Sequence, residues 1–203
     1  LNEENTQNIA LIADYNYQDM DSYFGATKYL ADQHSAYANL LYQNVISDSH
    51  RFTLGLNGTF DRYNEDFARA VSVGKVEKNG ITDLANTGVF GEYTFNAGEK
   101  FSAIAGLRGD WFYKQGFKVS PRVTLKYMPV DEIVIRANGG RGLRYSTPLV
   151  DNIGVFSTGK AFVGSYNDHI LEDAWTFGGN LTYYIPVGAT SNTYVSFDYF
   201  RTQ

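Results

Sequence analysis

The chain has 203 residues, enough for one domain, and 43% of them are hydrophobic, which excludes an intrinsically disordered protein. Its net charge of -5 and isoelectric point of about 5.1 argue against a nucleic-acid-binding surface. The mean hydropathy of -0.31, with no run of about 18 apolar residues, excludes a membrane protein built from helices. Cysteine is absent, which excludes disulfides, thiolate metal sites and cysteine nucleophiles.

Alternating apolar and polar residues predict nine β-strands, which in chain order are 8–17, 33–43, 50–63, 87–96, 101–113, 117–127, 132–140, 173–185 and 193–202. The fifth is the clearest, because every second residue from Phe101 to Tyr113 is apolar or small and aromatic rings close both ends of that series. Most residues between them are polar, so the strand has one apolar and one polar face. Aromatic rings at both ends of an apolar face are typical of a strand that crosses an outer-membrane bilayer.

The links between the predicted strands alternate in length. Short turns containing Gly, Asn, Asp, Ser or Pro are predicted at 45–49, 97–100, 128–131 and 186–192. Longer links are predicted at 64–86 and 141–172, with lesser ones at 19–32 and 114–116. Because consecutive antiparallel strands place alternate links at opposite ends, this pattern predicts tight turns at one end of a barrel and longer loops at the other.

The predicted strand count is odd, whereas a closed barrel made from one bacterial chain normally has an even number. We therefore expect residues 1–203 to form a single segment of a larger barrel. The chain begins at Leu1 with no basic segment followed by an apolar core, so we expect a mature region or a piece of a longer exported protein.

Several short sequence motifs follow one another at a characteristic spacing in the second half of the chain. Ser120-Pro121-Arg122 leads to Leu125, Tyr127 and Pro129, and a strand with Arg136 and Ala137 follows. After these come Gly140-Arg141-Gly142-Leu143-Arg144, Leu171-Glu172-Asp173-Ala174-Trp175 and Asp198-Tyr199-Phe200-Arg201-Thr202. In this order the chain resembles the barrel of TonB-dependent outer-membrane receptors, and its first strands resemble those of receptors from Bacteroidetes-type bacteria. Leu143 stands where the family usually has an aromatic residue, and Glu172-Asp173 where it usually has Pro-Glu.

The resemblance implies an all-β, antiparallel transmembrane β-barrel, of which this chain would supply about nine of roughly 22 strands, without the plug domain. It implies active uptake of a scarce, large nutrient (an iron chelate, cobalamin, haem or a glycan) across the outer membrane of a Gram-negative bacterium. The implied partners are outer-membrane lipid, the TonB complex through an N-terminal region outside this chain, and a surface lipoprotein lid. No catalytic group, metal or cofactor is expected.

Charged side chains on the polar faces of the predicted strands are candidates for the lining of the lumen. The three foremost are Arg108, Asp110 and Arg136, and Glu92, Arg122, Lys126 and Asp198 lie on the same faces. Each can equally be a solvent-exposed charge or a member of a structural ion pair. The glycines of Gly140-Arg141-Gly142 are interpreted as allowing a bend or close packing, because no helix pattern follows that would make a phosphate-binding turn.

Aromatic residues form two further sets of candidates. Tyr145, Phe156, Phe162 and Tyr166 lie in the predicted loop 141–172, where they can contact a ligand or pack the loop against its neighbours. Trp111, Tyr113, Trp175 and Phe177 are predicted near the outer membrane interface, and Tyr127, Tyr183 and Phe101 near the periplasmic one. The alternative for this second set is a pair of aromatic clusters in a soluble sandwich.

Three other functions stay open from the sequence. A passive porin shares every strand feature and differs in lacking a plug. An outer-membrane hydrolase would need an Asp-His site, for which Asp168-His169 is the candidate, although no partner group or nucleophile is evident. A soluble β-sandwich used in binding or adhesion would have shorter strands.

Overall fold

Nine antiparallel strands form one sheet in which each strand pairs with its neighbours in sequence. This computed structural model of the chain describes residues 6–25, 27–71, 74–158, 170–186 and 193–203, and only the backbone of 69–71 and 74–78. The strands are β1 (Gln7–Phe24), β2 (Thr27–Ser47), β3 (His50–Val71), β4 (Gly74–Ala97), β5 (Phe101–Phe112), β6 (Gly116–Val130), β7 (Ile133–Tyr145), β8 (Leu171–Tyr184) and β9 (Tyr194–Thr202). The nine predicted strands and their antiparallel arrangement are confirmed.

The register gives the sheet one apolar and one polar face. Leu56 of β3 stands opposite Leu40 of β2 and Val89 of β4, and all three side chains are exposed on what we call the apolar face. Asn57, the next residue, stands opposite Asn39 and Gly88 on the polar face. Large apolar side chains exposed over a whole sheet face mark a surface that meets lipid or another protein layer. No helix among the described residues is long and apolar enough to span a bilayer.

The first four strands are much longer than their alternating segments predict. β3 runs to Val71 and β4 begins at Gly74, so most of the predicted link 64–86 is a continuation of the hairpin. The predicted link 19–32 is likewise mostly paired strand, since the ladder between β1 and β2 continues to Phe24 and Thr27. Both link predictions are wrong because backbone pairing does not require apolar side chains. Charged residues occupy these extensions, as in the ion pairs Lys28–Asp66 and Arg62–Asp83, each 2.7 Å.

The sheet is uneven in height as a result. β5 ends at Phe112, which stands opposite Asn86 of β4, and residues 74–85 of β4 extend beyond that point while still paired with β3. At about 3.3 Å per residue, this extension reaches about 40 Å past the turn between β5 and β6. The described part of the sheet is therefore tall at β1–β4 and low at β5–β6.

The described part of the connection between β7 and β8, residues 146–158, folds over the polar face, and we call it the strap. It contains a 3₁₀ helix, Val150–Ser157, with a kink at Asn152. Leu149 and Phe156 of the strap are buried against Tyr29 of β2 and Phe67 of β3. The Phe156 ring centroid lies 5.0 Å from that of Phe67 and 5.8 Å from that of Tyr29. This cluster fixes the strap to the tall part of the sheet.

Candidate functional site

A hydrogen-bonded cluster on the polar face centres on Arg108 and Asp110, two of the predicted lumen-facing residues. They lie two residues apart on β5, so their side chains point to the same face. The Arg108 guanidinium donates to both Asp110 carboxylate oxygens at 2.6 Å and to Asn57 Oδ1 at 2.8 Å. Asn86 Nδ2 lies 3.4 Å from Asp110, and Thr59 donates to Asn86 Oδ1. Three strands thus contribute to one network.

Burial makes the Asp110 carboxylate the critical member of this network. Its side chain is 3% exposed, whereas that of Arg108 is 35% exposed. A buried carboxylate is tolerated when it is paired and hydrogen-bonded, as Asp110 is. Gly88, directly opposite on β4, leaves room for it, since a Cβ there would overlap the carboxylate.

The upper part of β7 separates from β6 and reaches over the polar face. The last matched pair between these strands is Arg122 with Gly140, although β7 stays paired with β8 up to Tyr145. The Val119 carbonyl of β6, left beyond the ladder, accepts a hydrogen bond from Arg141 Nη1 at 2.8 Å. Pro121, two residues on, directs its backbone to the same edge but has no N–H to donate. The hydrogen-bonded pairing of β6 with β7 therefore ends at Arg122, next to Pro121.

Close packing at Gly140 accompanies this separation. A Cβ at this position would lie 3.1 Å from the Pro121 carbonyl oxygen and 3.4 Å from Arg122 Cα. The backbones of β6 and β7 could not approach as closely with a larger residue. The interpretation of this glycine as a close-packing position fits the structure.

Residues 141–145, the part of β7 beyond its pairing with β6, form what we call the crossing segment. Tyr145 anchors this segment to β4 and to the end of β5. Its hydroxyl oxygen lies within hydrogen-bonding distance of two carbonyl oxygens, those of Tyr113 at 2.7 Å and Ala85 at 3.0 Å. Its ring meets Phe112 edge to face, with centroids 5.4 Å apart. Tyr145, predicted to contact a ligand or to pack its loop, thus has a clear packing role.

We expect Tyr145→Phe to loosen this crossing while leaving the fold intact. The variant keeps the ring contact and loses the hydroxyl hydrogen bonds, which contribute about 1 kcal/mol. Hydrogen–deuterium exchange of residues 143–147 in the intact receptor should then be about fivefold faster. Tyr183→Phe, on the apolar face, is the matched control and should leave exchange there unchanged. Equal exchange rates in both variants would contradict this role.

A cavity of about 400 Å³ lies between the crossing segment and the polar face, and we call it the wall cavity. Its lining includes backbone or side-chain atoms of Asp61, Tyr63, Arg108, Asp110, Arg144 and Tyr145. Asp61 accepts a hydrogen bond from Ser35 at 2.5 Å, and the Tyr63 hydroxyl oxygen accepts one from Gln33 at 3.0 Å. Arg144 binds Glu172 at 2.6 Å. The cavity combines hydrogen-bonding groups with aromatic rings.

The pKa values of Tyr29, Tyr63 and Arg144, which lie beyond the strand segments with alternating apolar residues, are raised. Burial, then the charge of Asp61, raises the pKa of Tyr63 to about 12. Burial, then the charge of Glu65, which accepts from the Tyr29 hydroxyl at 3.0 Å, also raises the pKa of Tyr29. The hydrogen bond to Glu172 raises the pKa of Arg144. The stability gained by keeping Tyr63 protonated is complete below about pH 10 and is lost as the pH rises through about 12.

The other predicted polar-face residues lie farther from this cluster. Arg136 donates to Asn180 at 3.1 Å, and Asp198 accepts from the same asparagine at 2.7 Å. Arg122 pairs with Glu92 at 2.6 Å, and Lys126 stands opposite Arg136 in the register. The described residues contain no group of three or more His, Asp or Glu side chains arranged to hold a metal ion. That these side chains face a lumen stays a prediction.

The aromatic residues predicted at the membrane interfaces lie at two ends of the apolar face. Trp111 and Tyr113 lie beside the turn between β5 and β6, and Trp175 stacks on Phe177 with centroids 6.1 Å apart. Tyr127, opposite Phe101, and Tyr183, opposite Ile133, lie near the other end. The exposed fractions of Trp111, Tyr113, Tyr127, Trp175 and Tyr183 run from 41% to 60%. Their placement at a lipid interface stays a prediction.

Of the remaining loop candidates, one is described and packs against the sheet, and the others lie outside the described residues. Phe156 is 2% exposed within the strap cluster, so its ring serves packing in this arrangement. Phe162, Tyr166 and the Asp168-His169 pair lie outside the described residues. Sequence reasoning missed Tyr63 and Asn86 as site residues, although the alternation in β3 already placed Asn57, Thr59 and Asp61 on the polar side.

Comparison with known proteins assigns the family. The family model described as "TonB dependent receptor-like, beta-barrel" matches residues 2–203. The chain therefore belongs to this family, and its nine antiparallel strands are a partial TonB-dependent receptor β-barrel, as the fold prediction states.

A solved structure shows the same fold. The chain is similar to "Copper transporter OprC", with a TM-score of 0.59 and 16% sequence identity over 86% of this chain. It spans 33% of the length of that transporter. No curated protein matches the sequence.

Proposed function

We propose that this chain forms part of the wall of an outer-membrane receptor that takes up a scarce, large solute with energy supplied through TonB. The observation that carries the proposal is the two-faced sheet within a family of TonB-dependent receptors. An apolar outer face suits lipid, and continuous strand pairing satisfies the backbone groups that lipid cannot. The polar face would line the lumen, with Arg108, Asp110 and Arg136 on it.

The remaining parts of the proposal concern partners and location. The receptor would lie in the outer membrane of a Gram-negative bacterium and receive energy through a plug outside residues 1–203. A surface lipoprotein would cover it on the extracellular side. In transport of this kind a solute is bound and then moved across the membrane. The residues of this chain would form the wall, bind the solute and support the strap.

Uptake in cells tests the transport proposal. Cells carrying the receptor are offered a radiolabelled ferric chelate, cyanocobalamin, haemin or uncharged oligosaccharides, one at a time. We expect uptake of one class to be lost when the receptor is deleted and when TonB is deleted. Uptake that needs the receptor but persists without TonB would show a passive porin instead.

Neighbouring residues on β3 test which face meets lipid. Leu54 is exposed on the apolar face, and Thr53 lies on the polar face opposite Glu92. Arginine in a lipid-facing position of a barrel costs about 2–4 kcal/mol near the membrane centre. Leu54 lies two residues from the middle of the apolar series Phe52–Phe60, so we expect Leu54→Arg to lower the free energy of unfolding in lipid vesicles by about 2 kcal/mol, the lower end of that range.

Thr53→Arg is the matched control, since it adds the same side chain one residue away, next to a carboxylate. It should change the free energy of unfolding little. Equal destabilisation by the two variants would contradict the assignment of the faces.

A further inference from the structure

We propose that the wall cavity binds a neutral, polyhydroxylated solute such as an oligosaccharide. This inference rests on the proposed transport function and names the substrate class for it. The cavity volume of about 400 Å³ lies within the range of small-molecule sites and accommodates about one or two sugar rings.

The cationic groups around the cavity are already paired with carboxylates. Its lining includes two aspartates, Asp61 and Asp110, and two arginines, Arg108 and Arg144. Both guanidinium groups already bind carboxylates, Arg108 with Asp110 and Arg144 with Glu172, each at 2.6 Å. An anionic ferric chelate or the propionates of haem would need cationic groups that are not already neutralised. The cavity therefore disfavours anionic ligands and is compatible with an uncharged one.

The polar groups suit hydroxyls, which both donate and accept hydrogen bonds. Asp61 offers carboxylate oxygens as acceptors and receives a hydrogen bond from Ser35 on one of them. The Tyr63 oxygen accepts from Gln33, so its own proton is available to a ligand. The high pKa of Tyr63 keeps that proton in place at neutral pH.

Aromatic rings complete the match. Tyr63 and Tyr145 both border the cavity. Their rings present apolar surface, against which the C–H groups of a sugar ring can pack while its hydroxyls bind the polar groups. The end of β7 that carries Arg144 and Tyr145 forms one side of the cavity, so the bound solute would lie between this segment and the polar face.

Binding to the intact receptor in detergent tests the inference. An array of uncharged oligosaccharides identifies the best binder, whose dissociation constant is then measured by calorimetry beside those of ferric citrate, haemin and cyanocobalamin. Asp61→Asn and Tyr63→Phe each change the cavity with little change in shape. Asp66→Asn, on the opposite face of the same strand, is the matched control.

We expect an oligosaccharide to bind, with a dissociation constant at least about tenfold higher in Asp61→Asn, since hydrogen bonds to a charged group contribute about 1.5–3 kcal/mol. Tyr63→Phe should also weaken it, and Asp66→Asn should not. Oligosaccharide binding unchanged in both cavity variants, or binding of a charged chelate alone, would overturn the inference. If a charged chelate is taken up in a TonB-dependent manner, the cavity inference fails and the transport proposal stands. If a sugar binds in the cavity but is taken up without TonB, the transport proposal fails and the cavity inference stands.

Discussion

Asp110→Asn should lower the free energy of unfolding of the intact receptor by about 3 kcal/mol. The variant removes the negative charge that pairs with Arg108, and removing one partner of a buried ion pair typically costs 3–5 kcal/mol. We take the lower value because Arg108 is 35% exposed and water compensates part of its lost charge partner. Chemical denaturation in detergent micelles measures the change.

Two controls make this result specific to the buried pair. Glu172→Gln removes a carboxylate from the exposed pair with Arg144, whose side chains are 62% and 46% exposed, and should lower the free energy of unfolding by less than about 1 kcal/mol, because solvent screens such pairs. Replacing both members of the buried pair, with Arg108→Met and Asp110→Leu, should restore much of the loss, because no charge is then left unpaired. A single variant Asp110→Asn as stable as the wild type would show that the cluster does not stabilise the wall.

Phe156→Ala should release the strap from the wall. The ring is 2% exposed and contacts Tyr29 and Phe67, and truncating a buried phenylalanine typically costs about 3–5 kcal/mol. The loss applies to local opening of the strap, since the strand ladders do not depend on this ring. We expect amide exchange over Val150–Ser157 to be at least about 100-fold faster, while exchange in β2 and β3 changes little.

Val155→Ala provides the comparison within the same helix, since Val155 lies outside the buried cluster. It should leave exchange of the strap close to that of the wild type. Faster exchange throughout β2 and β3 in Phe156→Ala would show that the cluster supports the strands as well, contrary to the expectation.

The sequence predicts the strands best in the segments where apolar and polar residues alternate. β5, β6, β8 and β9 were predicted to within three residues at each end, because their apolar residues alternate over nearly their whole length. β1–β4 were predicted too short, because alternation stops where charged side chains begin. In β3 this happens after Phe60, yet pairing with β4 continues to Val71.

The candidate site was predictable in part for a related reason. Alternation places Arg108 and Asp110 on one face of β5, and the structure brings them together. Contacts between distant segments are beyond such reasoning: Tyr145 reaches Ala85, and Phe156 reaches Tyr29, across large separations in sequence. Tyr29 and Phe67 lay in predicted links, so no pattern marked them as partners of the strap.

The height of β1–β4 has a consequence for resistance to proteolysis. Proteases cleave segments that can leave their hydrogen-bonding partners and extend into the enzyme's cleft. In these hairpins the backbone hydrogen bonding between strands continues far beyond the alternating apolar residues, up to Phe24 and Val71. The described parts of these hairpins therefore extend far along the strand direction without the long, cleavable segments that loops of equal reach would have.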